Sequence, residues 1–466
     1  MEREKLGSRL GFILLSAGCA IGVGNVWKFP WMCGQYGGGM FVLIYLLFLV
    51  ILGLPVMVME FSIGRASQAS PVKCFQKLEK PNQKWHLHGA LALTANVLLM
   101  MFYTSVAGWI LYYFVSFLKG DMTGITNEQS QSLFGNMLGS PYIMVGFMAA
   151  VVVLGFVILS FGLQKGVERV TKYMMLCLLF LMIVLAVHSF TLSGAKEGLE
   201  FYLKPDISKI NGNVIVGAMN QAFFTLSLGI GAMAIFGSYI GKERSLMGES
   251  VNILVLDTFV AIVAGLIIFP ACFTFDVEPG AGPSLLFVAM AKVFNSMSGG
   301  RWWGSLFFLF MFFAAMSTVT AVFQNILACV QELTGFKRIK SCLICGFGIL
   351  ILSLPCALGY NLLGNFHPFN SNTNVLDLED FIVSNLLLPI GSLIYVLFCT
   401  VKNGWGFDNF FAEANQGKGL KLKRWMRPYM TYILPLLIIT ILIIGIATFE
   451  FADNFTIWGW LKGLIR

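Results

Sequence analysis

The chain has 466 residues, of which 57% are hydrophobic and only 12% charged, and its mean hydropathy is +0.79. A soluble domain carries about 25% charged residues, so this balance excludes a disordered segment and a nucleic-acid binder and argues against a water-soluble enzyme. The net charge of +8 then has to be read from where the basic residues fall, and the expected class is an all-α integral membrane protein.

A membrane helix needs roughly 20 mostly apolar residues. On that rule the sequence predicts eleven spans, at 10–33, 39–63, 88–118, 141–161, 170–190, 214–239, 247–275, 302–334, 339–359, 380–401 and 428–451. Span one reads Gly18-Cys19-Ala20-Ile21-Gly22-Val23-Gly24-Asn25, with three glycines in seven residues, and ends at Lys28. Span two carries Glu60. Span five is preceded by Gly166-Val167-Glu168-Arg169, and span six holds Phe223-Phe224-Thr225-Leu226-Ser227-Leu228-Gly229-Ile230-Gly231. Span seven places Asp257 within Leu254-Val255-Leu256-Asp257-Thr258-Phe259. The stretch 277–300, with Pro279, Gly280, Gly282 and Pro283, is too interrupted to span and reads as an extracellular loop with short helices. Span ten opens at Asp380.

With the N-terminus in the cytoplasm, 22 of the 31 Lys and Arg residues fall inside and seven outside, Lys28 and Arg301 standing at span ends. That bias matches the positive-inside rule, and an error of one span would swap every later loop. The C-terminus is then outside. No cleavable signal peptide is expected, because the first apolar run leads into glycine-rich sequence. Five of the ten cysteines, Cys177, Cys272, Cys329, Cys356 and Cys399, sit in apolar runs as small hydrophobes, and Cys342 and Cys345 have no second pair to complete a zinc site. Four histidines leave little for histidine chemistry.

Glycine costs a helix interior about 1 kcal/mol relative to alanine, so the clusters in spans one and six predict locally unwound backbone. Close packing through small residues is the plainer reading of such clusters. The polar neighbours Asn25, Thr225 and Ser227 favour unwinding. Interrupted spans at corresponding positions of two halves mark a transporter binding site, where freed carbonyls hold a small cation and half-helix ends meet a carboxylate. The halves are residues 10–190 and 214–401, as inverted repeats of five spans, with 428–451 outside them. Ionisable groups within spans are costly and point the same way. A lone buried Asp257 would either take up a proton or be kept ionised by a bound cation.

The run Gly18 to Pro30, with Arg9-Leu10-Gly11 before it and Gly37-Gly38-Gly39 after, resembles the first-span signature of the neurotransmitter:sodium symporter family. Phe224 to Gly229 with Gln221 resembles that family's sixth span, and Phe312-Phe313-Ala314-Ala315-Met316-Ser317-Thr318 its eighth. The match runs through spans one to ten in order, and eleven spans rather than twelve is the pattern of many bacterial members. The resemblance implies sodium-driven import of an amino acid across the bacterial cytoplasmic membrane, with Na⁺, in two sites, and no organic cofactor.

One sodium site would use the Ala20 carbonyl with Asn25, Thr225 and Asp257, completed by the substrate carboxylate. The other would use carbonyls of Gly18, Ile21 and Ala314 with the hydroxyls of Ser317 and Thr318. Gly22 and Gly24 leave room for a zwitterion, because monoamine members carry an acid where Gly22 stands. Tyr103 would bond the substrate carboxylate, and Phe224 would lid it. Cys19, Leu99, Ser227, Ile230, Thr318 and Val322 would line a mostly apolar side-chain pocket, which favours a hydrophobic or aromatic amino acid. An outer gate would comprise Lys28, Asp380, Tyr103, Phe224 and Gln221, and an inner gate Arg3, Glu332 and Tyr239, while Glu60 would brace span six. The chain departs from the family pattern in Lys28, where arginine is usual, and in Leu176, where a proline often stands. Asp257 replaces a neutral ligand, and Ala261 lacks the hydroxyl offered to chloride, so transport is expected to be chloride-independent. A proton-coupled transporter using Asp257 is the alternative.

Overall fold

Helix formation begins at Ser8, whose hydroxyl accepts from the Gly11 N–H and satisfies one free amide at the start of α1 (Arg9–Ala20). The structure, a computed structural model, describes residues 6–122, 124–125, 127–278, 285–295, 297–371, 373–453 and 455–459. Ile21 turns extended and ends α1, and the chain resumes as α2 (Gly24–Gln35), bent from α1 by 53°. There follow α3 (Gly39–Ser67), α4 (Pro71–Leu78), α5 (Leu87–Lys119), α6 (Asn127–Gly139), α7 (Pro141–Ser160), α8 (Leu163–Ser189) and α9 (Ala195–Leu203). Next are α10 (Gly212–Thr225), α11 (Ala232–Gly237), α12 (Leu246–Thr274), α13 (Leu286–Asn295) and α14 (Gly300–Thr334). The chain closes with α15 (Arg338–Leu358), α16 (Val375–Thr400), α17 (Phe407–Ala414), α18 (Arg424–Ala447) and an antiparallel pair, β1 (Glu450–Ala452) and β2 (Phe455–Thr456).

Among the described residues, nine helices are long and apolar enough to cross a membrane, and the bent α1–α2 pair makes a tenth. The span shared by α10 and α11 is interrupted from Leu226 to Gly231, so neither piece is long enough to count alone. Eleven spans are compatible with this order. Several boundaries move. The fifth span starts at Leu163 rather than 170, because the charged run up to Arg169 is itself helical and buries Glu168. The tenth starts at Val375, where Asn374 and Asp377 form a capping box. The eleventh begins earlier, at Arg424, and stops at Ala447, since Glu450–Ala452 is strand. Arg65, which the 39–63 boundary leaves in an inner loop, is buried at the end of α3, with its Nε on Glu413 at 2.6 Å. The interrupted stretch after α12 contains α13, while residues 279–284 lie outside the described residues.

Four spanning helices contain a wide, π-type turn just ahead of a proline: Gly24–Lys28 before Pro30, Leu49–Gly53 before Pro55, Phe381–Leu387 before Pro389, and Tyr429–Ile433 before Pro435. Proline has no N–H and its ring collides with the carbonyl four residues back, and the wider turn makes room for it.

The long helices α5 and α14 pack along each other, and α14 also lies against α1, α7 and α8. The second half of the broken sixth span is held against α3 at backbone contact. A Cβ on Gly64 would lie 1.8 Å from the Ala234 carbonyl oxygen, and one on Gly237 would lie 2.4 Å from that of Phe61. Small residues permit this approach where lipid supplies no hydrophobic drive.

Candidate functional site

The two breaks face each other, and each frees backbone in its own way. In the first, the chain passes through extended Ile21, and the carbonyls before it turn toward α14. Thr318 Oγ1 lies 3.3 Å from the oxygens of Gly18 and Cys19 and 3.4 Å from that of Ile21. Ser317 Oγ lies 3.1 Å from Ile21 O and 2.8 Å from Ala314 O. Two hydroxyl protons cannot serve so many acceptors. The residues Gly18, Ile21, Ala314, Ser317 and Thr318 therefore present a convergent set of neutral oxygens with lone pairs to spare, the donor type that hard cations take.

In the second break, Ser227, Gly229 and Gly231 all adopt left-handed backbone, at φ +50°, +90° and +77°. Glycine meets this freely, whereas serine is strained there, and such strain collects at functional sites. Glu60 holds the segment: its carboxylate accepts the N–H groups of Gly229 (2.9 Å), Gly231 (3.1 Å) and Met233 (3.2 Å).

Asp257, fully buried on α12, closes the gap between the breaks. Asn25 Nδ2 donates to its Oδ1 at 2.8 Å, and Thr225 Oγ1 approaches its Oδ2 at 3.4 Å. Asn25 Oδ1 in turn accepts from the Gly22 N–H at 3.1 Å. An amide and a hydroxyl leave the charge of Asp257 uncompensated, and none of the ion pairs among the described residues includes it. Beside this cluster lies a small cavity lined by Cys19, Ala20, Gly22, Gly24, Leu99, Tyr103, Phe224, Ser227, Thr318 and Leu388. Tyr103 accepts from the Val23 N–H at 2.9 Å, and Ser227 Oγ reaches the Cys19 carbonyl at 3.4 Å. Ile230 and Val322 are buried but do not line the cavity, and Thr225 faces Asp257 instead.

Side chains tie the helices together on both sides. On one, Lys28 Nζ stands 3.7 Å from Asp380 Oδ2 and 3.8 Å over the Phe224 ring, and Gln221 Nε2 donates to the Gly24 carbonyl at 2.9 Å. On the other, Glu332 accepts from the Ser70 N–H and hydroxyl, and the Tyr239 hydroxyl accepts from Gln324 Nε2 at 2.9 Å. Arg3 lies outside the described residues.

Sequence reasoning missed several members of this arrangement. Asn96 Nδ2 donates to the Ile230 carbonyl at 2.7 Å, and Asn325 Nδ2 to Asn96 Oδ1 at 3.0 Å, so two buried amides anchor the far edge of the second break. Lone asparagines in apolar spans three and eight were the available signal. Leu388 gave none. Glu168 accepts from the Gly7 and Ser8 N–H groups at 2.7 and 3.1 Å and from the Ser8 hydroxyl at 3.0 Å, while Arg9 pairs with Glu249 at 3.0 Å. These contacts tie the start of α1 to α8 and α12.

The sequence model of the sodium:neurotransmitter symporter family matches residues 3–130 and 138–464. The chain is 35% identical over 448 residues to the uncharacterized sodium-dependent transporter YhdH of Bacillus subtilis, covering 95% of this chain and 98% of the relative. It is 31% identical over 454 residues to an uncharacterized sodium-dependent transporter of Haemophilus influenzae, with the same two coverages. Its structure matches the crystal structure of MhsT in complex with L-phenylalanine, with a TM-score of 0.86 and 35% identity, covering 95% of this chain and 100% of that one.

Proposed function

Since the chain belongs to the sodium:neurotransmitter symporter family, a family of multi-pass membrane transporters that depend on sodium, we propose that it imports a hydrophobic or aromatic L-amino acid together with two sodium ions by alternating access, without chloride. The observation that carries this reading is the buried Asp257 carboxylate, met by an amide of Asn25 and a hydroxyl of Thr225 and, among the described residues, by no cation, beside a cavity walled by two interrupted helices. A cation between Asn25, Thr225, Asp257 and the Ala20 carbonyl balances that charge, and a substrate carboxylate completes its oxygen shell. The second ion sits among Gly18, Ile21, Ala314, Ser317 and Thr318.

The zwitterion lies over Gly22 and Gly24, with Tyr103 donating to its carboxylate and its side chain toward Cys19, Leu99 and Leu388. The mostly apolar lining supports a hydrophobic substrate, and the L-phenylalanine in the related structure supports an aromatic one. Lys28, Asp380, Tyr103, Phe224 and Gln221 close the outer side; Arg3, Glu332 and Tyr239 close the inner side. Residues 10–190 and 214–401 act as inverted repeats, the N-terminus is cytoplasmic and the C-terminus outside. Moving one charge across 100 mV is worth about 2.3 kcal/mol, so two Na⁺ drive steep accumulation.

Uptake of labelled amino acids into proteoliposomes, with sodium and proton gradients imposed separately, tests the proposal. The expected result is uptake of phenylalanine, tyrosine, tryptophan or leucine that needs sodium and proceeds in chloride-free buffer. Uptake driven by protons alone overturns it in favour of proton coupling through Asp257. A Cβ at Gly22 would lie 2.4 Å from the Tyr103 hydroxyl and 2.5 Å from Thr318 Oγ1. Gly22→Ala is therefore expected to weaken amino-acid binding at least about tenfold, roughly 1.4 kcal/mol, in a scintillation-proximity binding assay, with the thermal unfolding midpoint nearly unchanged.

A further inference from the structure

Beyond α18 the described residues stay on the bundle. It turns back over the outer end of α16, where Phe449 and Phe451 meet Phe369 and Phe381 in a four-ring cluster. Every pair of these rings is in contact: Phe381 to Phe449 at 4.1 Å, Phe369 to Phe449 at 4.8 Å, Phe449 to Phe451 at 5.1 Å, Phe369 to Phe381 at 5.3 Å, Phe381 to Phe451 at 5.4 Å and Phe369 to Phe451 at 6.0 Å. Offset and edge-on ring pairs of this kind hold their partners in specific orientations. Asp453 adds a polar tie, its Oδ1 accepting the Ser371 N–H at 3.2 Å and the Ser371 hydroxyl at 3.1 Å. The cluster thus joins three pieces of chain: the loop ahead of α16, the wide turn within α16, and the segment from Phe449 to Asp453.

Phe381 directly follows Asp380. The Lys28–Asp380 pair is a single ammonium contact at 3.7 Å, with about a third of the Asp380 side chain exposed. Such a pair is weak and imposes little geometry of its own. What fixes Asp380 is its surroundings: Ser384 Oγ donates to its Oδ1 at 2.6 Å, and the neighbouring Phe381 ring is locked into the cluster.

We propose that Phe449, Phe451 and Asp453 are positioning residues for the outer gate, a C-terminal clasp that holds the first turns of α16 so that Asp380 stays within reach of Lys28. The proposal rests on the reading of Lys28 and Asp380 as that gate. With the clasp released, the outer end of α16 tilts away more readily, and the open-outside state gains population at the expense of the closed one. The consequence falls on retention of substrate more than on turnover.

The test compares the full chain with its Phe449→Ala and Phe449→Trp variants in proteoliposomes and nanodiscs. Phe449→Ala is expected to raise KM and the rate of release of bound amino acid 5- to 10-fold while kcat stays within twofold, and Phe449→Trp to restore both. A second readout needs no substrate: pulsed electron-spin distances between labels at the exposed positions Ile207 and Leu362, the latter in the loop that leads into α16, introduced with native cysteines replaced, are expected to shift toward longer values in sodium alone in Phe449→Ala. Wild-type KM, release rate and distances in Phe449→Ala overturn the clasp. So does an equal loss of kcat and binding that Phe449→Trp fails to restore, which marks a merely structural role. If the label distances in the unsubstituted chain ignore sodium and amino acid, the gate reading itself falls, and the clasp with it.

Discussion

Asp257→Asn is expected to cut sodium-driven uptake in chloride-free buffer by at least about 100-fold. Removing one partner of a buried charge arrangement costs about 3–5 kcal/mol, and here the partner lost is the carboxylate that faces Asn25 and Thr225. The substitution is nearly isosteric: the amide oxygen can keep the Asn25 contact and the Thr225 hydroxyl can accept from the amide NH₂, so the fold should survive. One helical turn further along, Ala261 is buried and offers no hydroxyl, so added chloride is not expected to rescue the single variant. The double variant Asp257→Asn/Ala261→Ser supplies that hydroxyl, and its uptake should recover in part when chloride is returned and not when gluconate replaces it. Undiminished chloride-independent uptake by Asp257→Asn would mean that the anion's electrostatic work is done elsewhere.

The second large effect is on stability. Glu60→Ala strips three backbone N–H groups of their acceptor at once, inside a fully buried segment. Each unsatisfied buried donor costs about 1–3 kcal/mol, and a total of about 3 kcal/mol or more is enough to leave a marginally stable protein largely unfolded. Glu60→Gln tests the account more finely. Its amide oxygen can keep Gly229 and Gly231, but its NH₂ then faces the Met233 N–H, donor against donor. The expected order of thermal unfolding midpoints in detergent, read by tryptophan fluorescence, is wild type, then Glu60→Gln, then Glu60→Ala, with the last recovered in low yield. A Glu60→Ala protein as stable as wild type would show that the break in the sixth span holds its shape without that carboxylate.

Much of this architecture was legible in the chain itself. Alternating glycines beside Asn25 and Ser227 announced the two interruptions, because main chain released inside lipid must be lined by polar neighbours. The misplaced starts of the fifth and tenth spans share one cause. Lys165, Glu168 and Arg169 ahead of the fifth span, and Asp377 and Glu379 ahead of the tenth, look like loop by charge, yet Glu168 and Glu379 are buried in helix. Hydropathy cannot see that a carboxylate has found N–H partners across the fold, and Glu168 finds its own about 160 residues away. Arg65 escaped for the same reason, its partner Glu413 being more than three hundred residues distant. The asparagines at 96 and 325 were visible as oddities, but nothing local says that both converge on Ile230. Leu388 could not be singled out from so many leucines.

The prolines that follow wide turns also set where this molecule is stiff. The 33-residue α5 and the 35-residue α14 contain no proline and run unbroken, so each resists flexing along its whole length. The first, second, tenth and eleventh spans each give up a main-chain bond at a proline and admit one residue more per turn, which swings whatever follows by about 100°. They are jointed rods set against two rigid ones. Deformation under load should therefore gather at these four joints, together with Pro270 inside α12 and Pro355 inside α15, and the mechanical plan of the protein, struts and elbows, is written in the spacing of a few imino acids.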